Sequence, residues 1–230
     1  MLKDFQITLY DLFGYLLPGG VILLSLAILF WTLFWPNDPF VFWLDLSTPK
    51  IVCVLFVAYL AGHVGQAVGN LIEKIPAAHR MLYDHLPISR HLEALVRKAF
   101  CSRFGRDAEA LEPHELYELC DQTLIHHGSL GEREIFTYRE GFYRGNCVAL
   151  GLLALALFVR LFRTPTKLWV AEGVVYLSQK LLFLAAALAS VAAALAFQRY
   201  LRFARHRIRS CLLRFLALTT ARLGDGKEKA

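Results

Sequence analysis

The sequence predicts an all-α, polytopic membrane protein with about four transmembrane helices and a helical cytoplasmic insert. Three observations predict this class. The chain has 230 residues, of which 57% are hydrophobic and only 19% are charged, whereas soluble domains carry about 25% charged residues. Four apolar segments come close to the roughly 20 residues that a spanning helix needs. The other apolar residues recur at helical spacing, and no segment alternates as a strand would.

The first segment, residues 1–73, is predicted to hold transmembrane helices 1 and 2. The first span covers about 12–35, and Trp31 and Trp35 near its end suit the tryptophan belt of a membrane interface. The second span, 52–73, begins as an uninterrupted apolar run and ends with polar residues and glycines. We expect the first span to stay uncleaved, because no small-residue cleavage site follows a short apolar region.

The second segment, residues 74–144, is predicted to form the helical insert. Ser89 can cap a helix whose apolar residues follow a helical rhythm, and Pro113 suits the first turn of another. Ser129 and Glu132 have the spacing of a capping box for a helix that continues into the third span. About 70 residues are marginal for an independent core, so we expect the insert to pack on the spans.

The third and fourth segments complete the predicted organisation. Residues 145–198 should hold transmembrane helices 3 and 4, at about 146–162 and 181–197, the latter rich in alanine. Residues 199–230 form a basic cytoplasmic tail with helical rhythm. This tail either extends the fourth span or lies on anionic headgroups.

Charge and cysteine content predict where the chain resides. The formal net charge is +6, and the basic residues flanking the spans lie mostly on the side of the insert. The positive-inside rule then places both termini and the insert in the cytoplasm, and the excess charge favours contact with membrane lipids. The five cysteines form no CxxC pair, so reduced thiols are expected, with no disulfide framework, no metal site and no cofactor.

The second span carries the candidate site, a pore lining or helix seam. His63, Gln66 and Asn70 are spaced i, i+3, i+7, so they lie on one side of a helix. An adjoining smooth face is formed by glycines, namely Gly62, Gly65 and Gly69. One interpretation is close helix packing with the amides hydrogen-bonded to a neighbouring helix. The other is a pore or proton-sensitive gate in which His63 titrates.

Arginines with aromatic neighbours are the predicted contacts to lipid or to a partner. Before the third span, Arg139, Tyr143 and Arg144 lie in a segment where bases could stack. The same composition is also selected at membrane interfaces, and we favour that interpretation because the segment ends in an apolar run. The tail adds a basic stripe of Arg199, Arg202, Arg205 and Arg209. Contact with nucleic acid stays open.

Catalytic motifs are missing from the sequence. It contains no GxSxG, HExxH, Walker or GxGxxG pattern. Arg80 and His85 are spaced as in RNA-cleaving HEPN domains, but such spacings are expected by chance with this many arginines and histidines. The acidic residues of 112–121 are expected to be solvated or paired with arginines. We predict no catalytic residues and no enzyme activity; the alternative is a membrane-embedded enzyme acting on lipid or RNA through Arg80, His85 and His114.

Three local patterns resemble a group of bacterial membrane proteins. The patterns are YDLFGYLLPGG, AYLAGHVGQAVGNLIEK and FYRGN. They are similar to multi-pass proteins encoded beside anti-phage systems, such as accessory proteins of type VI-B CRISPR enzymes and of deaminase-based defence operons. The matching positions are Asp11, Gly14, Tyr15, Pro18, Gly19, Gly62, His63, Gln66, Asn70, Glu73, Phe142, Tyr143 and Arg144.

This resemblance implies a function in phage defence at the bacterial inner membrane. It implies a non-enzymatic accessory or effector protein that oligomerises and perturbs membrane permeability, or anchors a cytoplasmic defence effector. Some members of the group are thought to assemble as rings or pores. The expected partners are therefore membrane lipids, further copies of the chain and a cytoplasmic effector.

Overall fold

The protein is helical over nearly all of the residues that the structure describes. The computed structural model describes residues 2–35, 47–83, 87–105, 110–128, 133–163, 170–171, 174–175 and 179–225. Within these ranges the helices are α1 (Leu2–Phe34), α2 (Thr48–Glu73), α3 (Pro76–Tyr83), α4 (Arg90–Phe104), α5 (Pro113–His126), α6 (Arg133–Arg163) and α7 (Gln179–Asp225). Two short strands, β1 (Val170–Ala171) and β2 (Val174–Val175), pair antiparallel with Val170 opposite Val175. The prediction of an all-α protein is confirmed.

Among the described residues, four helices are long and apolar enough to cross a bilayer, as the sequence predicts. These stretches are Gly14–Phe34, Thr48–Glu73, Ile135–Arg163 and Gln179–Thr220. The last two are longer than the predicted spans because α6 and α7 continue beyond them. With 47 residues, α7 is about 70 Å long, more than twice the roughly 30 Å of a hydrocarbon core. Only part of α7 can therefore lie in hydrocarbon, and its alanine-rich stretch, 181–197, has the required composition.

The chain divides into two compact units. The first, which we call the apolar unit, consists of Met1–Ile72 and Gly141–Tyr200. The second, the polar unit, consists of Glu73–Glu140 and Leu201–Ala230. The segment boundaries that the sequence predicts, after residues 73, 144 and 198, lie within four residues of these divisions, which follow residues 72, 140 and 200.

Small and hydroxyl residues shape the apolar unit. One of its clusters joins Ala154 and Leu157 of α6 to Leu182, Ala186 and Ala189 of α7, and small side chains allow such helices to approach closely. Serine and threonine hydroxyls in the spans of this unit donate to the carbonyl four residues earlier. Examples are Ser25 to Val21 (2.6 Å), Thr32 to Ile28 (2.7 Å) and Ser190 to Ala186 (2.8 Å). These groups are thus satisfied without water, as a bilayer requires.

Local signals in the polar unit place its helices as predicted. Ser89 caps α4 and accepts a hydrogen bond from the Leu92 backbone nitrogen at 3.3 Å. Gly105 ends that helix in the left-handed region, with φ of 61°, where glycine carries no Cβ penalty. Helix α5 begins at Pro113, as expected. The predicted capping box at 129–132 lies outside the described residues.

The end of α7 closes the core of the polar unit. Ile208, Leu212 and Phe215 of α7 are each 0% exposed and pack with Val96 of α4 and Leu116 of α5. The tail is therefore a continuation of the α7 helix, which was one of the two predicted alternatives. Its apolar side is buried in protein, so contact of the tail with anionic headgroups stays a prediction for its exposed arginines.

Candidate functional site

Glycines bring the backbones of α1 and α2 into contact. A Cβ on Gly62 would lie 2.8 Å from the Cα of Tyr15 and would overlap its carbonyl. A Cβ on Gly19 would likewise overlap the carbonyl of Ala58. These contacts are with backbone, which cannot swing aside, so neither position tolerates a larger residue without separating the helices.

The same helix meets α6 near its end. A Cβ on Gly69 would lie 2.8 Å from Cγ of Arg144, so the aliphatic stem of this arginine packs on the glycine. One helical turn earlier, Nε2 of Gln66 donates a hydrogen bond of 2.6 Å to the carbonyl of Gly141. Gln66 thus makes the contact that the packing interpretation requires of an amide in this span.

His63 and Asn70 lie instead on an exposed face of α2. The ring of His63 stacks on Tyr15, with centroids 3.9 Å apart, and meets the edge of Tyr59 at 4.7 Å. Asn70 is exposed and has no hydrogen-bond partner in the part of the chain that the structure describes. Ala67 lies exposed between them. We call His63, Ala67 and Asn70 the α2 stripe; His63 contacts α1 through its ring, but neither His63 nor Asn70 makes a hydrogen bond within the described residues.

Helix α2 as a whole is less covered than the other three candidate spans. Only 17% of its most apolar window is buried, against 22–28% for the other three candidate spans. Apolar residues exposed on it can face lipid without cost, since lipid tails are equally apolar. The polar groups of the stripe cannot do so, because nothing in hydrocarbon replaces the hydrogen bonds they make in water.

The predicted lipid or partner arginines have several different surroundings. The guanidinium of Arg139 lies over the ring of Phe203, 5.6 Å from its centroid. Arg205 donates to the carbonyl of Met81 at 3.0 Å, and Tyr143 is half-buried. The remaining tail arginines are exposed, namely Arg199, Arg202 and Arg209. These three keep their guanidinium groups available for anionic contacts.

Sequence reasoning missed a buried ion pair in the polar unit. Nε of Arg207 lies 2.8 Å from a carboxylate oxygen of Glu140, which is 4% exposed. The guanidinium of Arg207 also lies over the ring of Tyr117, at 5.7 Å. The spacing of the sequence could have indicated this burial. Arg207 lies three residues after Ala204 and four before Cys211, both of which are buried, so it shares their side of the helix. Removing one partner of such a pair would leave an uncompensated buried charge.

The enzyme hypothesis relies on Arg80, His85 and His114, and the described residues do not include a complete site formed by the three. His114 lies beside His79, with ring centroids 5.5 Å apart, and Arg80 is exposed. His85 lies outside the described residues. Among the residues that are described, no three histidine, cysteine, aspartate or glutamate side chains are grouped so as to hold a metal ion. Comparison with models of protein families, with curated proteins and with solved structures finds no match.

Proposed function

We propose that the protein is a non-enzymatic integral membrane protein that self-associates in the bilayer through the exposed face of α2. The observation that supports this is the α2 stripe, where His63 and Asn70 lie exposed on a candidate spanning helix. Polar side chains facing hydrocarbon are costly. A second helix that offers hydrogen-bonding groups at the same depth removes this cost, and Ala67 between them allows a close approach.

The chemistry of the stripe favours a second copy of this chain as the occupant. Copies inserted in one orientation relate by an axis along the membrane normal, so near that axis a residue meets its own equivalent. The amide of Asn70 has both donors and acceptors, and neutral imidazole has one of each. Each group can therefore pair with itself, which a lysine or a glutamate could not do.

The resemblance to accessory membrane proteins of anti-phage systems supports a setting for this assembly. We propose that it acts in the bacterial inner membrane with both termini in the cytoplasm, which the distribution of basic residues favours. Self-association would bring several copies of His63 together in the membrane, where they could open a polar path and perturb permeability. In the alternative form of this proposal, the assembly anchors a cytoplasmic effector and does not change the permeability of the membrane.

The oligomeric state of detergent-solubilised protein tests the self-association. We expect the unmodified protein to be oligomeric by light scattering coupled to size exclusion. The double variant His63→Leu/Asn70→Leu should associate more weakly, with a dissociation constant about tenfold higher. Val64→Leu, a change at an exposed apolar residue of the same helix, should leave the state unchanged. A monomeric unmodified protein, or a double variant that associates equally well, would show that the stripe is not an interface.

Membrane potential in expressing cells tests the effect on permeability. We expect induced expression together with the defence system to depolarise cells, and His63→Leu to weaken the depolarisation. An oligomer that never depolarises cells under activating conditions would exclude permeability and leave anchoring as its role.

A further inference from the structure

A basic groove of about 410 Å³ lies along α7 in the polar unit, beside the start of α6. Its size falls within the roughly 300–1,000 Å³ of ligand sites. We call it the α7 groove; Phe136 of α6 and His206, Arg209, Ser210, Leu213 and Arg214 of α7 line it. None of the described residues in its lining is acidic. A concave surface with charges of one sign concentrates ligands of the opposite sign, so the groove should attract anions.

The two arginines that line the α7 groove have no partner among the described residues. Neither Arg209 nor Arg214 makes an ion pair or a hydrogen bond there. Their neighbours on the helix differ, since Arg205 donates to a backbone carbonyl at 3.0 Å and Arg207 is paired with Glu140 at 2.8 Å. Guanidinium groups bind phosphate through two parallel N–H bonds. The donors of Arg209 and Arg214 are therefore available to a phosphate-bearing ligand.

The hydroxyl of Ser210 is a further donor in the lining of the groove. Ser210 is half-buried, and its hydroxyl has no hydrogen-bond partner in the described part of the chain. On the same helix, Ser190, Thr219 and Thr220 each donate to the carbonyl four residues earlier, at 2.8–3.0 Å. Ser210 lies between the two arginines in the sequence, so its O–H can donate to the anion that they attract.

An aromatic wall borders the same groove. The ring of Phe136 lies nearly parallel to that of His206, with an interplanar angle of 17° and centroids 5.9 Å apart. Phe136 is half-buried and His206 is exposed, so ring surface remains accessible. Nucleic-acid bases of any sequence stack on such rings. A site that combines phosphate donors with ring surface suits a nucleotide unit better than an inorganic anion.

The place of the groove along α7 favours a water-soluble ligand over a lipid headgroup. His206 follows the alanine-rich stretch, 181–197, by nine residues, which is about 13 Å along the helix axis. The headgroup region on each side of a bilayer is only roughly 5–8 Å thick. With 181–197 in hydrocarbon, the groove therefore begins beyond the headgroups.

We propose that the α7 groove binds single-stranded nucleic acid, with backbone phosphates on Arg209, Arg214 and the hydroxyl of Ser210 and with a base stacked on Phe136. The two arginines are five residues apart, which places them about 140° apart around the helix. They border the groove on opposite sides, so a strand can pass between them. A positive groove with aromatic rings is the combination by which proteins bind single strands without sequence preference.

Fluorescence anisotropy of the full chain in detergent, with a labelled polyuridine strand of about 12 nucleotides, tests the proposal. We expect saturable binding that Arg214→Gln weakens several-fold. This variant should also reduce the slope of log affinity against log salt by about 0.7, the effect of losing one phosphate contact on a single strand. Phe136→Leu should weaken binding several-fold at an unchanged slope, because stacking releases no counterions.

Two matched variants outside the groove are the controls. Arg90→Gln removes an exposed arginine of α4, and Phe104→Leu replaces a ring that is 42% exposed. Each should change the affinity by less than about twofold, since screening weakens charges outside the contact and this ring stacks on no base.

Four results would overturn the proposal. Equal weakening by Arg90→Gln and Arg214→Gln would mean a diffuse charge effect. Unchanged affinity in Phe136→Leu would show that no base stacks in the groove. Uridine monophosphate that binds as tightly as the strand would make the ligand a free nucleotide. Displacement of the strand by phosphatidylglycerol, but not by phosphatidylcholine, added to the same micelles would make it a lipid headgroup. The groove shares no residue with the α2 stripe, so none of these results bears on self-association.

Discussion

Two adjacent glycines of α1, Gly19 and Gly20, have opposite surroundings. A Cβ on Gly19 would overlap the carbonyl of Ala58 and lie 2.7 Å from the nitrogen of Gly62, whereas a Cβ on Gly20 would meet no heavy atom of the described residues within 4 Å. The contact with α2 therefore requires glycine at the first position only. The pair offers an internal comparison for the α1–α2 seam.

Substitution by alanine should have different effects on stability at Gly19 and Gly20. We expect Gly19→Ala to destabilise the apolar unit by roughly 1–3 kcal/mol through overpacking. Gly20→Ala should instead be neutral or stabilise it by up to about 1 kcal/mol, since alanine favours the helix. Denaturation of the purified variants in one detergent measures both. Equal stabilities would mean that α1 and α2 do not meet at these glycines.

Cys120 is a residue whose protonation depends on the fold. Its side chain is 0% exposed, and burial, followed by the charge of Asp121, raises the pKa of its thiol to about 12. In the unfolded chain the thiol loses its proton near pH 8.5, as an ordinary cysteine does. Above that pH the unfolded state binds fewer protons than the folded state, so stability should fall as the pH rises. Below it, this thiol contributes no pH dependence.

Alkylation by iodoacetamide between pH 8 and 10 tests this environment. We expect Cys120 to react only as fast as the polar unit unfolds, because its thiolate does not form in the folded state. The half-buried Cys101 is the control and should be modified sooner at each pH. Peptide mass spectrometry measures both rates. Modification of Cys120 as rapid as that of Cys101 at pH 8.5 would contradict its burial.

At the scale of elements, α7 has two compositions along one helix. Its first part is alanine-rich and apolar, and its second part is basic with one buried apolar side. On that side, Ile208, Leu212 and Phe215 recur at i, i+4 and i+7, the spacing of a core-facing helix. Arg199, Arg202, Arg205 and Arg209 occupy exposed positions, which explains why this basic stripe is exposed although the helix packs in the core.

Truncation of Phe215 should loosen the polar unit. Phe215→Ala removes a fully buried ring and should cost roughly 3–5 kcal/mol. Hydrogen exchange of the α4 and α5 amides measures the loss, since these helices share its core. Leu195→Ala, at a residue of α7 that is 55% exposed, should leave that exchange unchanged. Unaltered protection in Phe215→Ala would contradict the packing of α7 in this core.

In helix α2, helical periodicity predicts which residues share a side but not which of them contact another helix. At 100° per residue, Asn70 lies about 20° and Gln66 about 60° around the helix from His63. The three polar groups therefore share one side, as the sequence predicts. Gln66, at the edge of this arc, is directed to the carbonyl of Gly141, while the other two remain exposed. The spacing predicts that the three residues share one side of α2, but the position of α6 determines which of them makes a hydrogen bond to it.

At the scale of the whole molecule, each compact unit is built from segments that are distant in sequence. The polar unit combines Glu73–Glu140 with Leu201–Ala230. Its first segment alone has about 70 residues, which bury too little surface for a stable core. The end of α7 supplies the missing apolar surface, so the insert and the tail form one folded unit.

Composition and local patterns were sufficient to predict the class of the protein. Hydropathy, the Ser89 cap, the start of α5 at Pro113 and the glycine end of α4 act over one or two turns, so the residues nearby determine them. The defence setting, the membrane orientation and the self-association remain predictions.

Contacts between distant segments needed the tertiary structure. The burial of the tail against α4 and α5 and the pairing of Arg207 with Glu140 join residues separated by 67 positions or more along the chain. Many apolar helix faces are compatible with one another, and only shape complementarity and the satisfaction of buried polar groups select among them. Local sequence carries the information for each helix, whereas the fitting of all the faces together determines which residues become a seam, a core or a site.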